Sequence, residues 1–150
     1  MDLEIEGERA LVLAASAGIG LGCAEALVQA GCRVVINGRD RARGERAAAA
    51  LGPGAHFVQG DVANPEDRAR LHDEASTHLG AVSILVTNAG GPPSGKFLDH
   101  SPDDWRRAFD LSTLSASDMA RRCVPGMIAG GFGRIVNISS MSAKEPSPGT

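Results

Sequence analysis

Five short apolar runs punctuate the chain: Arg9–Ala15, Arg33–Asn37, Ala55–Gln59, Ser83–Thr87 and Arg134–Ser139. Most are rich in Val, Ile or Leu and all are too short for an ordinary helix, which predicts strands buried on both faces. Between them the period changes. Gly18–Ala30 places Ile19, Cys23, Ala26, Leu27 and Ala30 at helical spacing, and Asn64–Gly80 opens on an Asn-Pro start signal and closes on a glycine. The tract AAAALGPG reads as the end of a helix stopped by Gly-Pro-Gly, and a further helix is expected from about Pro102 to Gly130. Strands alternating with helices imply a parallel sheet, because each crossover lays a helix on one face or the other. The expected class is therefore α/β, a doubly wound parallel sheet.

Composition narrows the partners. The 150 residues are enough for one domain with a core, and 43% hydrophobic content is ordinary for a globular chain. A net charge of −3 with no tyrosine argues against a nucleic-acid surface, which uses basic stripes and stacking rings. No apolar run approaches the roughly 20 residues that span a bilayer, and the start MDLEIEGERA is acidic, so no membrane partner and a cytoplasmic location are expected. Cys23, Cys32 and Cys123 lack metal-ligand spacing and are expected to be buried free thiols. His56, His72, His78 and His100 are scattered, so no metal site is expected.

The chemistry concentrates where the first apolar run meets the first helix. In ALVLAASAGIGLG, Ala14, Ala15, Ser16, Ala17, Gly18, Ile19 and Gly20 form a turn of mostly tiny residues leading into a helix N-terminus. Such a turn lets backbone N–H groups and the helix dipole approach a pyrophosphate, although the strict G-x-G-x-x-G pattern is missing. Ser16 adds a hydroxyl able to bond a phosphate or to cap the helix. At the tip of the second run the chain reads INGRD, with Arg39 where an acidic residue would favour the ribose hydroxyl of NAD. A cation there suits the 2′-phosphate of NADP, or else is one more solvated charge at a helix start. Asp61 and Val62 after the third run offer an acceptor for an exocyclic amine and an apolar surface for a flat ring, or simply a turn before the helix.

The segment LVTNAGG, Leu85–Gly91, at the end of the fourth run makes the pattern specific. Together with the small-residue turn, Asp61-Val62, Asn88-Ala89-Gly90, Trp105, Pro125 and GRIVNISS ending in Ser140, it resembles the short-chain dehydrogenase/reductase family across essentially the whole chain. The resemblance implies a Rossmann-type sheet with its five visible strands in the order 3-2-1-4-5, the family's remaining strands being absent. It implies that residues 1–150 form a single dinucleotide-binding domain, incomplete at its C-terminus. It implies NADP, with NAD the less favoured cofactor, bound along Ala14 to Ile19 and Gly20, Arg39, Asp61, Val62, Asn88, Ala89 and Gly90. The implied reaction is hydride transfer between a nicotinamide and a small-molecule carbonyl or alcohol, in a homo-oligomer such as a dimer or tetramer.

The resemblance also implies catalytic positions. Ser140 matches the serine that orients the substrate carbonyl, and Ser112 stands where the family usually has an asparagine supporting a proton relay. The family's Tyr-x-x-x-Lys pair would fall about 13 residues after Ser140, beyond Thr150, so the sequence is expected to be the cofactor half of a longer enzyme. A non-catalytic nucleotide-binding or assembly protein is the alternative. Two further departures are Thr87 for the first asparagine of Asn-Asn-Ala-Gly, and Ala14 for the first motif glycine, tolerable if that residue keeps a negative φ.

Overall fold

The computed structural model describes residues 3–91 and 94–145. Its strands are β1 (Arg9–Val12), β2 (Arg33–Gly38), β3 (Ala55–Gln59), β4 (Ile84–Thr87) and β5 (Arg134–Asn137), and its helices are α1 (Gly18–Gln29), α2 (Arg41–Leu51), α3 (Pro65–Leu79), α4 (Pro102–Phe109) and α5 (Ser115–Gly130). The strands form one sheet in the order β3-β2-β1-β4-β5, every neighbouring pair parallel. The order expected from the family resemblance is the order found. Pro92 and Pro93, in the glycine- and proline-rich segment after β4, lie outside the described residues.

Alternation along each strand builds two apolar layers. Leu11, Val35 and Leu85 are level in register and join Leu71 of α3 with Met119, Cys123 and Met127 of α5 on one face. Ala10, Val12, Val34, Ile36, Ile84 and Val86 face the other way, onto Ala24 of α1 and Ala47 and Ala48 of α2. The second face is covered by small residues, and α2 comes so close that a Cβ on Gly44 would fall 2.0 Å from the Phe57 ring. Of the three thiols expected to be buried, Cys32 and Cys123 are, whereas Cys23 is only partly buried, and burial pushes the Cys123 thiol up to about 12.

Local signals fix the helix ends. Asp40 accepts from the Arg43 N–H at the start of α2, and Asn64 accepts from the Glu66 N–H ahead of Pro65 in α3. Ser101 and Asp104 cap α4 reciprocally, and Asp104, bonded first by the Ser101 hydroxyl and N–H and then by Arg107, has its carboxyl pulled down to about 2. The expected helix from Pro102 to Gly130 is continuous but changes pitch, with a π turn at Asp110–Leu114 between α4 and α5. Two hydroxyls help serve carbonyls around that turn: Ser112 donates to Ala108 O at 2.6 Å and Ser115 to Leu111 O at 2.5 Å.

Candidate functional site

An open cleft of about 860 Å³ lies at the C-terminal ends of β1 to β4. This is where the chain, having filled the sheet outward from β1 to β3, crosses over to β4 on the other side of β1. Ligand crevices of open α/β sheets form at such a reversal, because the loops on either side diverge.

The floor is the turn from β1 to α1. Strand β1 ends at Val12, three residues short of the expected boundary, because Ala14 adopts φ +47 and breaks the pleat. The requirement for a negative φ is therefore not met: this alanine sits in left-handed backbone, which costs an L-residue roughly 1–2 kcal/mol. Three hydrogen bonds hold it there. Its N–H donates to Asn37 Oδ1 at 3.2 Å, its carbonyl accepts from Asn88 Nδ2 at 3.1 Å, and the next N–H, of Ala15, donates to Asn37 O at 2.7 Å. Ala14→Gly would remove the steric cost and return part of it as unfolded-state entropy, so the variant is expected to be more stable by about 0.5–1 kcal/mol. That corresponds to a rise of about 2 °C in the thermal midpoint; a midpoint that falls would contradict it.

Above the floor, Ala14, Ser16, Ala17 and Ile19 line the cleft, while Ala15 is fully buried behind it. Gly18 turns the chain at φ +61. Gly20 is a packing residue beneath the loop, where a Cβ would lie 2.7 Å from Ala14 O and 2.9 Å from both Ala15 Cα and Asn88 Nδ2. Helix α1, N-capped by Ala17, has no side-chain cap and no acidic residue in its first turn, whereas α2, α3 and α4 are each capped by a side chain and α3 and α4 also carry acidic residues in the first turn. Its N-terminal N–H groups and positive dipole end lie at the cleft with no side chain of the helix's own first turn to neutralise them, although Asp40 and Asp61 line the cleft beyond. Ser16 lines the cleft and does not cap the helix.

The two side walls carry the remaining predicted residues. At the tip of β2 stand Gly38 and Arg39, with Arg43 one turn further on in α2. Opposite, Asp61 uses Oδ1 to accept from the Ala63 N–H at 3.0 Å and presents Oδ2 to Arg39, 4.0 Å away. Val62 is buried against this wall, and its carbonyl and that of Ala63 accept from buried Arg68, whose Nε also bonds Asp118 of α5 at 2.8 Å. Burial pushes the Asp118 carboxyl up, but the Arg68 bond and the charges of Arg122 and Arg68 outweigh it, leaving it below the usual carboxylate range. Asn88, Ala89, Gly90 and Gly91 complete the cleft on the β4 side.

The two hydroxyls proposed for catalysis stand apart from this lining. Ser112 is exposed within the π turn, its hydroxyl committed to Ala108 O. Ser140 is exposed just beyond β5, on the same C-terminal rim, where its Oγ accepts from the Ser142 N–H at 3.1 Å. Asn37, Arg43 and Leu111 also line the cleft and were not anticipated. A polar residue ending the apolar run RVVIN was a signal for Asn37, and the i, i+4 spacing from Arg39 was one for Arg43. Leu111 arrives through the π turn, which nothing in the sequence marks.

The family model for short chain dehydrogenases matches residues 8–150, through every segment that forms the cleft. The chain belongs to the short-chain dehydrogenase family. Among its relatives, dehydrogenase/reductase SDR family member 4 of Oryctolagus cuniculus is 36% identical over 144 residues, 93% of this chain and 55% of that protein. D-beta-hydroxybutyrate dehydrogenase of Cupriavidus necator is 32% identical over 139 residues, 91% of this chain and 54% of that protein. The crystal structure of L-sorbose reductase from Gluconobacter frateurii, complexed with NADPH and L-sorbose, superposes with a TM-score of 0.93 at 32% identity, covering 98% of this chain and 57% of that one. The chain thus spans little more than half the length of these relatives. Among the described residues no helix is long and apolar enough to cross a membrane, and no group of three or more His, Cys, Asp or Glu side chains is placed to hold a metal ion.

Proposed function

We propose that residues 1–150 form the dinucleotide-binding part of an NADP(H)-preferring oxidoreductase acting on a small-molecule carbonyl or alcohol. The observation that carries this reading is the pairing of an uncapped α1 N-terminus with two arginines, Arg39 and Arg43, on the β2 side of the same cleft. One feature suits a bridging diphosphate and the other a terminal 2′-phosphate. The cleft also has room where the cofactor backbone must lie close. Gly38 lets Ser16 approach the β2 tip, since a Cβ there would fall 2.9 Å from Ser16 Oγ. The NADPH complex of the sorbose reductase supports the same cofactor class for this family member.

In this reading the α1 N–H groups and Ser16 bind the diphosphate, Arg39 and Arg43 the adenosine phosphate, and Asp61 with Val62 the adenine. Asn88 to Gly90 border the ribose. The nicotinamide, when bound, supplies or accepts a hydride. Reduction of a carbonyl turns its oxygen into an alkoxide, and Ser140, whose Oγ acts as an acceptor toward Ser142, keeps its own O–H to donate to that oxygen. Ser140 stabilises developing charge without delivering a net proton. Activity, substrate and a homo-oligomeric state belong to the whole protein, and the reading for them is a reductase or dehydrogenase of the kind its relatives are.

Calorimetry with NADPH and NADH tests the cofactor assignment. The unaltered chain is expected to favour NADPH, and Arg39→Ala to lower the NADPH:NADH affinity ratio about tenfold, the worth of roughly one charge-assisted bond. A ratio that Arg39→Ala leaves unmoved would return Arg39 to the status of a solvated surface charge.

A further inference from the structure

Ala14 is an odd choice for a left-handed residue, and its surroundings show what permits it. The Asn37 side chain is fully used: Oδ1 accepts from the Ala14 N–H at 3.2 Å, while Nδ2 donates to Val58 O at 3.2 Å and Gly60 O at 3.0 Å. The residue is 1% exposed, so the amide is spent on the protein. One acceptor and two donors at the end of a short stem are what this position needs. A carboxylate would set its oxygens against two carbonyls, and a leucine would leave three backbone groups unsatisfied. Asn37 therefore ties together the ends of β1, β2 and β3, three of the four strands that carry the cleft, and Asn88 closes the clamp from β4 through the Ala14 carbonyl.

We propose that Asn37 is a positioning residue for dinucleotide binding: its amide holds Ala14 in left-handed backbone, so that the β1–α1 loop is shaped before any phosphate reaches it. The inference rests on the cofactor reading above. It explains why alanine functions where the conformation favours glycine. An unclamped alanine would relax to negative φ and carry the α1 entry with it, whereas a glycine would lose little by staying.

A double-mutant cycle on the full chain tests this, with wild type, Asn37→Ser, Ala14→Gly and the double variant compared for NADPH affinity and thermal midpoint. Asn37→Ser is expected to weaken NADPH binding at least tenfold on its own but no more than about threefold in the A14G background. Equal losses in both backgrounds would overturn the proposal, because a merely structural asparagine would not know which residue occupies position 14. Should Asn37→Ser fail to fold, amide exchange of the unaltered protein decides. The Ala14 N–H, which donates to the Asn37 amide oxygen, is expected to be protected before NADPH is added, and exchange there at unprotected rates would refute the clamp. If the unaltered chain binds no NADPH at all, the cofactor reading fails, while the exchange pattern still judges the clamp by itself.

Discussion

Replacing Gly20 by alanine is expected to destabilise the protein by about 2–3 kcal/mol and to weaken dinucleotide binding more than tenfold. The added methyl would lie 2.7 Å from Ala14 O and 2.9 Å from Ala15 Cα, both backbone atoms of the loop that α1 springs from. Neither can rotate away as a side chain would, so the helix or the loop must shift by a substantial fraction of an ångström, an overpacking strain of that order. The third contact, Asn88 Nδ2 at 2.9 Å, is the donor to Ala14 O, so the same methyl also pries at a bond that shapes the cleft. For a chain of this size the loss amounts to roughly 5–10 °C in the thermal midpoint. Gly22, two residues on and exposed, provides the control, since a Cβ there meets nothing within 4 Å. Gly22→Ala is expected to stabilise by up to about 1 kcal/mol through helix propensity alone. Melting curves of the two variants should therefore move in opposite directions; a shared direction would mean that close packing at Gly20 is not what the position serves.

The second large effect is expected at Asp118. Arg68 lies with its side chain 4% exposed, bonded to Asp118 and to two carbonyls of the loop carrying Val62. Asp118→Ala leaves that guanidinium buried without its counter-charge, a situation that typically costs 3–5 kcal/mol. The lower figure is expected, about 3 kcal/mol, because Val62 O and Ala63 O remain as partners. Denaturant melts would read the loss directly, and a cost below about 1 kcal/mol would show that the pair is not what holds α5 to this loop. The pH dependence has a definite sign. The carboxyl is held below its ordinary value of 3.8, so the unfolded chain takes up the proton first as pH falls. The pair's stabilisation is present above about pH 4 and drains away as the pH drops through the lowered value. Asp118→Ala should accordingly flatten the acid limb of the stability curve, besides lowering the curve as a whole.

Much of the architecture was legible because it depends on burial. Runs such as RVVIN and SILVT could belong only to strands covered on both sides, and Asn64-Pro65 with Gly80 marked both ends of α3. The walls of the cleft were legible for a related reason, since Arg39, Asp61 and Asn88 sit at strand tips that the apolar pattern itself locates. What escaped the sequence reading depends on backbone geometry. Nothing in AASAGIG announces that Ala14 would take the left-handed conformation, because the cause lies 23 residues away in a buried amide. The π turn at Asp110–Leu114 was equally hidden, since its serines read as ordinary helix residues until their hydroxyls are seen bonding carbonyls one turn back. Ser140 and Ser112 were placed by family register alone, and the structure sets both on the exposed surface, Ser140 on the rim beyond β5 and Ser112 in the π turn.

The outermost strand has its own consequence. Among the described residues β5 pairs with β4 on one side only, and its two central residues, Ile135 and Val136, are 40% and 47% exposed on opposite faces. Arg134 is the single charge in RIVN, and the strand has no proline or bulge to turn a visiting chain away. An edge of this kind, as the described residues present it, is a ready template for an extended polypeptide to pair with, so association along β5 is the behaviour to watch for at high concentration.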